Sequence, residues 1–122
     1  MAGQADKLVI VMTKGIDSEL SSVGFTIANG AITAGLQVSA FLASAAVDLV
    51  RKGGQGMTHV PPLSPLGELI ADFLRRGGTI WVCPPCAQTR GYEASDLIDG
   101  VIITGASAML AAIKDGAATL SF

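Results

Sequence analysis

The sequence predicts an α/β fold with a largely parallel five-stranded sheet and helices on both faces. The pattern of apolar residues predicts the sheet and helices, and the chain length predicts a single domain. Short apolar runs typical of buried strands alternate along the chain with segments of helical periodicity, and this alternation is characteristic of parallel sheets covered by helices. The chain has 122 residues, which is the size of one domain, so we expect a single domain over residues 1–122.

The first elements are a buried strand and a helix. The continuous apolar run from Lys7 to Met12 fits a strand that is covered on both faces. After a turn, Asp17 or Ser18 can cap a helix. That helix is expected to run to about Ala34 and to end at Gly35, because glycine readily adopts the left-handed conformation that closes a helix.

The middle of the chain continues the alternation. A second strand over 36–42 leads into a short helix over 44–53. Apolar residues then recur at helical spacing from Leu66 onward, with Ser64 as the expected N-cap and Pro65 as the first helical residue. The remaining predicted elements are strands over 79–82 and 100–103, a helix over 107–114 and a weak strand over 117–122.

Composition excludes some classes of function. Charged residues make up only 15% of the chain, against about 25% in typical soluble domains. The few basic residues are scattered, so nucleic acid is not an expected partner. The uncharged stretch over 20–47 is too polar for a membrane span, and it favours a homo-oligomer with apolar interfaces. Without a signal-peptide pattern at the start, we expect a cytoplasmic protein with reduced thiols.

Both cysteines lie in the segment WVCPPC. Cys83 directly follows the third predicted strand, and functional sites in open α/β sheets lie beyond the carboxyl ends of strands. Pro84 and Pro85 can open a helix there. A helix start favours thiolate over thiol, so we expect Cys83 to be more reactive than Cys86. The alternative is that both thiols are simply small apolar core residues.

Other chemistry has less support in the sequence. Two cysteines and the single His59 are too few for the usual four zinc ligands, so we predict no metal and no cofactor. The glycine-rich loop over 53–62, with Met57 and His59 near its middle, is expected to be a mobile cover that brings His59 near Cys83; the alternative is a solvated connector. The CxxC spacing also permits a disulfide and thiol redox chemistry, although its place after the third strand differs from that in thioredoxins.

Four segments in order, KGIDSE, FTIANGAITAGLQVSAFL, VCPPCAQTRG and ASDLIDGV, resemble the DsrE/DsrF-like family of small sulfur-handling proteins. Cys83 stands eight residues before Gly91 of the pair Arg90–Gly91, which is the family's spacing for its carrier cysteine. The resemblance implies a three-layer α/β/α fold and trimers or hexamers. It also implies a persulfide on Cys83 that is passed to a protein partner.

The resemblance also names supporting residues. Gly15 lies in the first matching segment, and Arg90 is expected to stabilise the thiolate. Cys86 is an additional thiol that could attack the persulfide and release sulfide, so carrier and reductase both stay open. A third alternative is a non-enzymatic oligomeric module that binds a small ligand or a protein.

Overall fold

A five-stranded sheet forms the centre of the computed structural model, which describes residues 6–56 and 58–122. The strands are β1 (Lys7–Met12), β2 (Gln37–Leu42), β3 (Thr79–Val82), β4 (Val101–Ile103) and β5 (Ala118–Ser121). The sheet order is β4-β3-β2-β1-β5, and all neighbouring strands are parallel. The α/β prediction is confirmed, and the direction of the last strand, which the sequence left open, is parallel.

The helices form a layer on each face of the sheet. Parallel strands are joined by right-handed crossovers. The helices are α1 (Glu19–Thr33), α2 (Leu66–Arg75), α3 (Pro84–Thr89) and α4 (Ala106–Lys114), with 3₁₀ segments at Ser44–Val50 and Ala94–Asp96. The chain steps across the sheet in one direction from β1 to β4 and in the other from β4 to β5, so α4 lies on the face opposite α1 and α2. None of the described helices is long and apolar enough to cross a membrane.

Local signals set most of the helix boundaries. The hydroxyl of Ser18 accepts a hydrogen bond from the backbone of Leu20, and Gly35 follows α1 with a φ of 94°, as predicted. The predicted start of α2 is wrong. Pro65 is the N-cap with ψ at 142°, Ser64 lies outside the helix, and Leu66 is the first helical residue. The Leu66 N–H donates to the Thr58 carbonyl of the preceding loop, which holds this start in place.

The main core lies between the sheet and the pair α1 and α2. The rings of Phe25 and Phe73 meet edge to face at 5.6 Å, and both are fully buried. The opposite face is more thinly covered, because no residue of α4 is buried in the single chain. Val9 and Phe41 are nevertheless buried. The three-layer arrangement is therefore well packed on one side and open on the other.

The three central strands end abreast, and this alignment positions the site. Met12 of β1 pairs with Leu42 of β2, which pairs with Val82 of β3. Beyond these ends the ladder continues for one residue, because Ala43 N–H donates to Met12 O and Cys83 N–H donates to Leu42 O, each at 3.0 Å. The segments that leave β2 and β3 therefore start side by side at the carboxyl edge of the sheet.

Candidate active site

The two cysteines form a close pair at the start of α3. Cys83 is the N-cap, Pro84 and Pro85 are the first two helical residues, and Cys86 completes the first turn. The Ala87 N–H donates to the Cys83 carbonyl at 3.0 Å. The two Sγ atoms are hydrogen-bonded at 3.0 Å, and both thiols are free and half-buried. The predicted helix is confirmed, and it holds both half-buried cysteines at the carboxyl edge of the sheet.

Ser44 contributes a backbone donor that sequence reasoning missed. Its N–H donates to Cys86 Sγ at 3.2 Å. Ser44 has a φ of 54°, in the left-handed region that is uncommon for residues other than glycine. This conformation comes directly after β2 and turns the N–H towards the neighbouring α3. The only signal in the sequence was its position just past the strand next to β3.

Charged and phenolic groups lie on one side of the pair. Arg90 Nη1 donates to the Cys86 carbonyl at 3.2 Å, and Arg90 Nε lies 3.7 Å from Asp48 Oδ1. The same carboxylate accepts a 2.5 Å hydrogen bond from the Tyr92 hydroxyl, and the guanidinium of Arg51 lies 5.7 Å from the Tyr92 ring centre. Arg90 is thus held at the end of α3, with its charge near Cys86 and partly offset by Asp48.

The environment favours the thiolate on Cys86. The pKa of Cys86 is lowered, first by the hydrogen bond from Cys83, then by the Ser44 N–H, with a smaller effect from the Arg90 charge. Burial raises the pKa of Cys83, and the hydrogen bond with Cys86 raises it further. When the pair loses one proton, Cys83 therefore keeps the remaining one and donates it to the Cys86 thiolate.

This order corrects the expectation that the helix start would favour the thiolate on Cys83. An N-cap side chain accepts hydrogen bonds from the N–H groups of the second or third helical residue. In α3 the first two residues are Pro84 and Pro85, which have no N–H. Only the Cys86 N–H remains to lower the pKa of Cys83, and this effect does not outweigh burial.

Gly15 lies in a closely packed turn next to the site. A Cβ on Gly15 would lie 3.3 Å from both the Cβ and the carbonyl oxygen of Ala45. The Gly15 carbonyl also accepts a 2.6 Å hydrogen bond from the Ser21 hydroxyl. Glycine therefore lets the loop after β1 pack tightly against Ala45, the residue that follows the donor Ser44.

His59 is not brought to the cysteines by a hydrogen bond in the part of the chain described. Its Nε2 pairs with the Leu63 carbonyl at 3.0 Å, and its side chain is exposed. The neighbouring Thr58 hydroxyl donates to the Ile16 carbonyl at 2.9 Å, so the loop lies against the turn after β1. Met57 lies outside the described residues. The role of this loop as a cover stays a prediction.

Comparisons with known proteins identify the family of this chain. The profile of the DsrE/DsrF-like family matches residues 6–122. The chain belongs to this family. It is 32% identical over 106 residues to the uncharacterized protein MJ0760 of Methanocaldococcus jannaschii, covering 86% of this chain and 38% of that protein. It is 26% identical over 119 residues to the uncharacterized protein MJ0989 of the same organism, covering 95% and 99%.

Solved structures show the same fold for this DsrE/DsrF-like protein. The ychN protein of E. coli has a TM-score of 0.76 at 20% identity, covering 98% of this chain and 100% of that one. A Bacteroides thetaiotaomicron protein of unknown function, BT1422, has a TM-score of 0.71 at 24% identity, with 96% and 95% covered. These likenesses establish the fold. The chain spans only 38% of the length of its relative MJ0760.

Among residues 6–56 and 58–122, no three His, Cys, Asp or Glu side chains are grouped in a way that could hold a metal ion. The groups that converge at the carboxyl edge are instead two thiols, a backbone N–H and a guanidinium. Such a set can ionise a thiol, attack an electrophilic sulfur atom and hold the product. The chemistry that these residues offer is therefore thiol chemistry.

Proposed function

We propose that this protein is a sulfur carrier or sulfurtransferase that forms a persulfide on Cys83 and passes the sulfur to a partner protein. The observation that carries the proposal is the 3.0 Å contact between Cys83 and Cys86 at the carboxyl edge of the sheet. Membership of the DsrE/DsrF-like family, which is linked to sulfur relay, supports it. Cys83 is the residue whose spacing to the Arg90–Gly91 pair resembles that of carrier cysteines in the family.

In the loading step, Cys86 acts as the base and Cys83 as the nucleophile. The Cys86 thiolate takes the proton of Cys83 across their hydrogen bond while Cys83 Sγ attacks the outer sulfur of a donor persulfide. The donor's sulfur–sulfur bond breaks, and its inner sulfur leaves as a thiolate that takes up a proton. Cys83 then carries the sulfane sulfur, and no net oxidation occurs. The lowered pKa of Cys86 suits it to this role near neutral pH.

In the delivery step, a thiolate of the acceptor attacks the outer sulfur of the Cys83 persulfide. The bond between that sulfur and Cys83 Sγ breaks, and Cys83 leaves as a thiolate. Burial disfavours this charge, and proton return from Cys86 across the same hydrogen bond relieves it. Cys86 therefore accepts the proton of Cys83 during loading and returns it during delivery.

Mass spectrometry tests the proposal on the Cys86→Ala variant, which isolates Cys83. The variant is incubated with glutathione persulfide at about pH 9, above the ordinary thiol pKa of about 8.5, so that a fraction of the half-buried Cys83 ionises without its base. We expect a gain of one sulfur atom on the peptide that contains Cys83, removed by dithiothreitol. The matched control is Cys83→Ala. A Cys86→Ala protein that stays unmodified, under conditions that load a known carrier, would overturn the proposal.

We further propose that the active form is a homotrimer or a dimer of trimers. Ile102 of β4 is 50% exposed, Leu110 of α4 is 55% exposed and Leu120 of β5 is 42% exposed. Their burial against other copies would remove apolar surface from water at about 25 cal/mol per Å². Light scattering at micromolar concentration is expected to show an oligomer, and a monomeric mass would contradict this.

The proposal also has consequences for compartment and for the loop over 53–62. Free thiols must stay reduced between cycles, which favours the cytoplasm.

We propose that the loop over 53–62 covers the site and screens the persulfide from water, with His59 within reach of Cys83 in a closed state. His59→Ala is expected to change the pH dependence of Cys83 alkylation. Profiles that overlay the wild type between about pH 5 and 9, across the histidine range, would make the loop a connector.

A further inference from the structure

We propose that Cys86 also makes this site a reductant of sulfane sulfur: it attacks the loaded Cys83, releases the sulfur as sulfide and leaves a disulfide between Cys83 and Cys86. The inference rests on the proposed function, because it requires that Cys83 carries a persulfide. It adds a second activity, which competes with delivery to a partner protein. Its substrate class is the low-molecular-weight or protein persulfide that loads Cys83.

The geometry places the attacking atom beside its target. A persulfide on Cys83 keeps Cys83 Sγ as its inner sulfur, and Cys86 Sγ lies 3.0 Å from that atom in the unloaded site. The Ser44 N–H holds Cys86 Sγ from the side of β2 at 3.2 Å. Because both cysteines belong to the first turn of α3, no loop has to close before the two sulfur atoms meet.

The step balances without a further reactant. The Cys86 thiolate attacks Cys83 Sγ, and the new bond joins the two cysteine sulfur atoms. The bond between Cys83 Sγ and the outer sulfur breaks, and its electron pair leaves on the outer sulfur as hydrosulfide. The two cysteine sulfur atoms are oxidised by two electrons in total, and the sulfane sulfur is reduced by two. A further turnover needs a dithiol reductant to open the disulfide.

The protonation states of the two thiols also fit this order of events. Loading leaves the proton of Cys83 on Cys86, so the second step begins when Cys86 loses it again. The Ser44 N–H stabilises the resulting thiolate, and the Arg90 guanidinium lies at the end of the same helix. Cys86 therefore acts first as a base and then as the resolving nucleophile. The Ser44 N–H supports both roles, whereas the hydrogen bond from Cys83 is lost on loading because the inner sulfur of a persulfide has no proton.

Proximity sets the expected size of the effect. Two groups held within one structure react at an effective concentration of about 1 mM or more, which exceeds a protein concentration of about 10 μM by about a hundredfold or more. Once loaded, the wild-type protein should thus lose its persulfide about a hundredfold faster than Cys86→Ala in the absence of an acceptor. A site that only carries sulfur would hold it equally long in both proteins.

The experiment uses wild type, Cys86→Ala and Cys83→Ala, each treated with one equivalent of glutathione persulfide after removal of reductant, at about pH 9 so that Cys83 can load without its base. Released sulfide, free thiols and intact mass are followed over time. For the wild type we expect one sulfide per chain, loss of both thiols and a mass two hydrogen atoms lower. Cys86→Ala should keep one added sulfur on Cys83, and Cys83→Ala should show neither product.

The outcomes separate this inference from the proposed function. A wild type that holds its persulfide as long as Cys86→Ala does would overturn the reductant role and leave the carrier proposal standing. A stable wild-type persulfide on Cys86 would overturn the assigned order of the two thiols. Failure of Cys86→Ala to load at all would overturn the proposed function, and with it the inference.

Discussion

The two prolines at the start of α3 allow a direct test of why Cys83 is the weaker acid. Pro85 is the second helical residue, where an N–H could donate to the N-cap side chain, and Pro84 is the first, where it could not. Pro85→Ala should therefore add a donor for the Cys83 thiolate. Pro84→Ala is the matched control, because it makes the same chemical change one residue earlier.

The expected magnitude comes from the strength of one charge-assisted hydrogen bond. Such bonds contribute about 1.5–3 kcal/mol, and the half-buried Cys83 calls for the lower end. Since 1.36 kcal/mol corresponds to about one pKa unit, Pro85→Ala should lower the pKa of Cys83 by about one unit. Each proline replacement also frees the unfolded chain and costs about 0.4–1 kcal/mol of stability, which the control shares.

The assay measures the alkylation rate of Cys83 as a function of pH in the Cys86→Ala background, where only one thiol titrates. The midpoint is the readout, because the rate itself mixes thiolate fraction with a nucleophilicity that falls as pKa falls. We expect the midpoint to fall in Pro85→Ala alone. Equal midpoints in the two proline variants would refute the argument that the missing N–H leaves the pKa of Cys83 high.

Two further predictions concern the surroundings of the pair. Gly15→Ala should force Ala45 to move and lower the free energy of unfolding, measured in urea, by about 1 kcal/mol. The control Gly30→Ala, whose Cβ would have nothing within 4 Å, should raise that free energy by about 0.5–1 kcal/mol. Equal changes in the two variants would contradict the close packing at Gly15. Tyr92→Phe should cost about 1 kcal/mol near neutral pH by removing the hydrogen bond to Asp48. Because that bond raises the pKa of Tyr92, its contribution is complete below the ordinary tyrosine pKa of about 10 and is lost as pH rises through the folded-state value. A difference in unfolding free energy that stays constant through that range would argue against the assignment.

Local sequence accounts for most of the architecture. Gly35 and Gly77 end their helices with positive φ because glycine has no Cβ to clash, and this property belongs to the residue alone. Pro84 opens α3 for an equally local reason, since its φ is already helical. The apolar run of β1 needed only its own composition to be identified as a buried strand. The start of α2 differs from the prediction: Leu66 is its first residue, and the Leu66 N–H donates to the Thr58 carbonyl of the preceding loop.

The sequence by itself determined the elements of this protein, its family resemblance and the place of Cys83 after β3. The two prolines after Cys83 limit its N–H donors for a local reason, but tertiary structure decided the stabilisation of the Cys86 thiolate. Ser44 is 42 residues from Cys86 in the chain, and it becomes a donor only because β2 and β3 are neighbours that end abreast. Likewise, the charge of Arg90 is offset by Asp48 only after the 3₁₀ segment packs against α3. A pKa depends on the atoms around a group in space, and pairing between distant strands sets that environment.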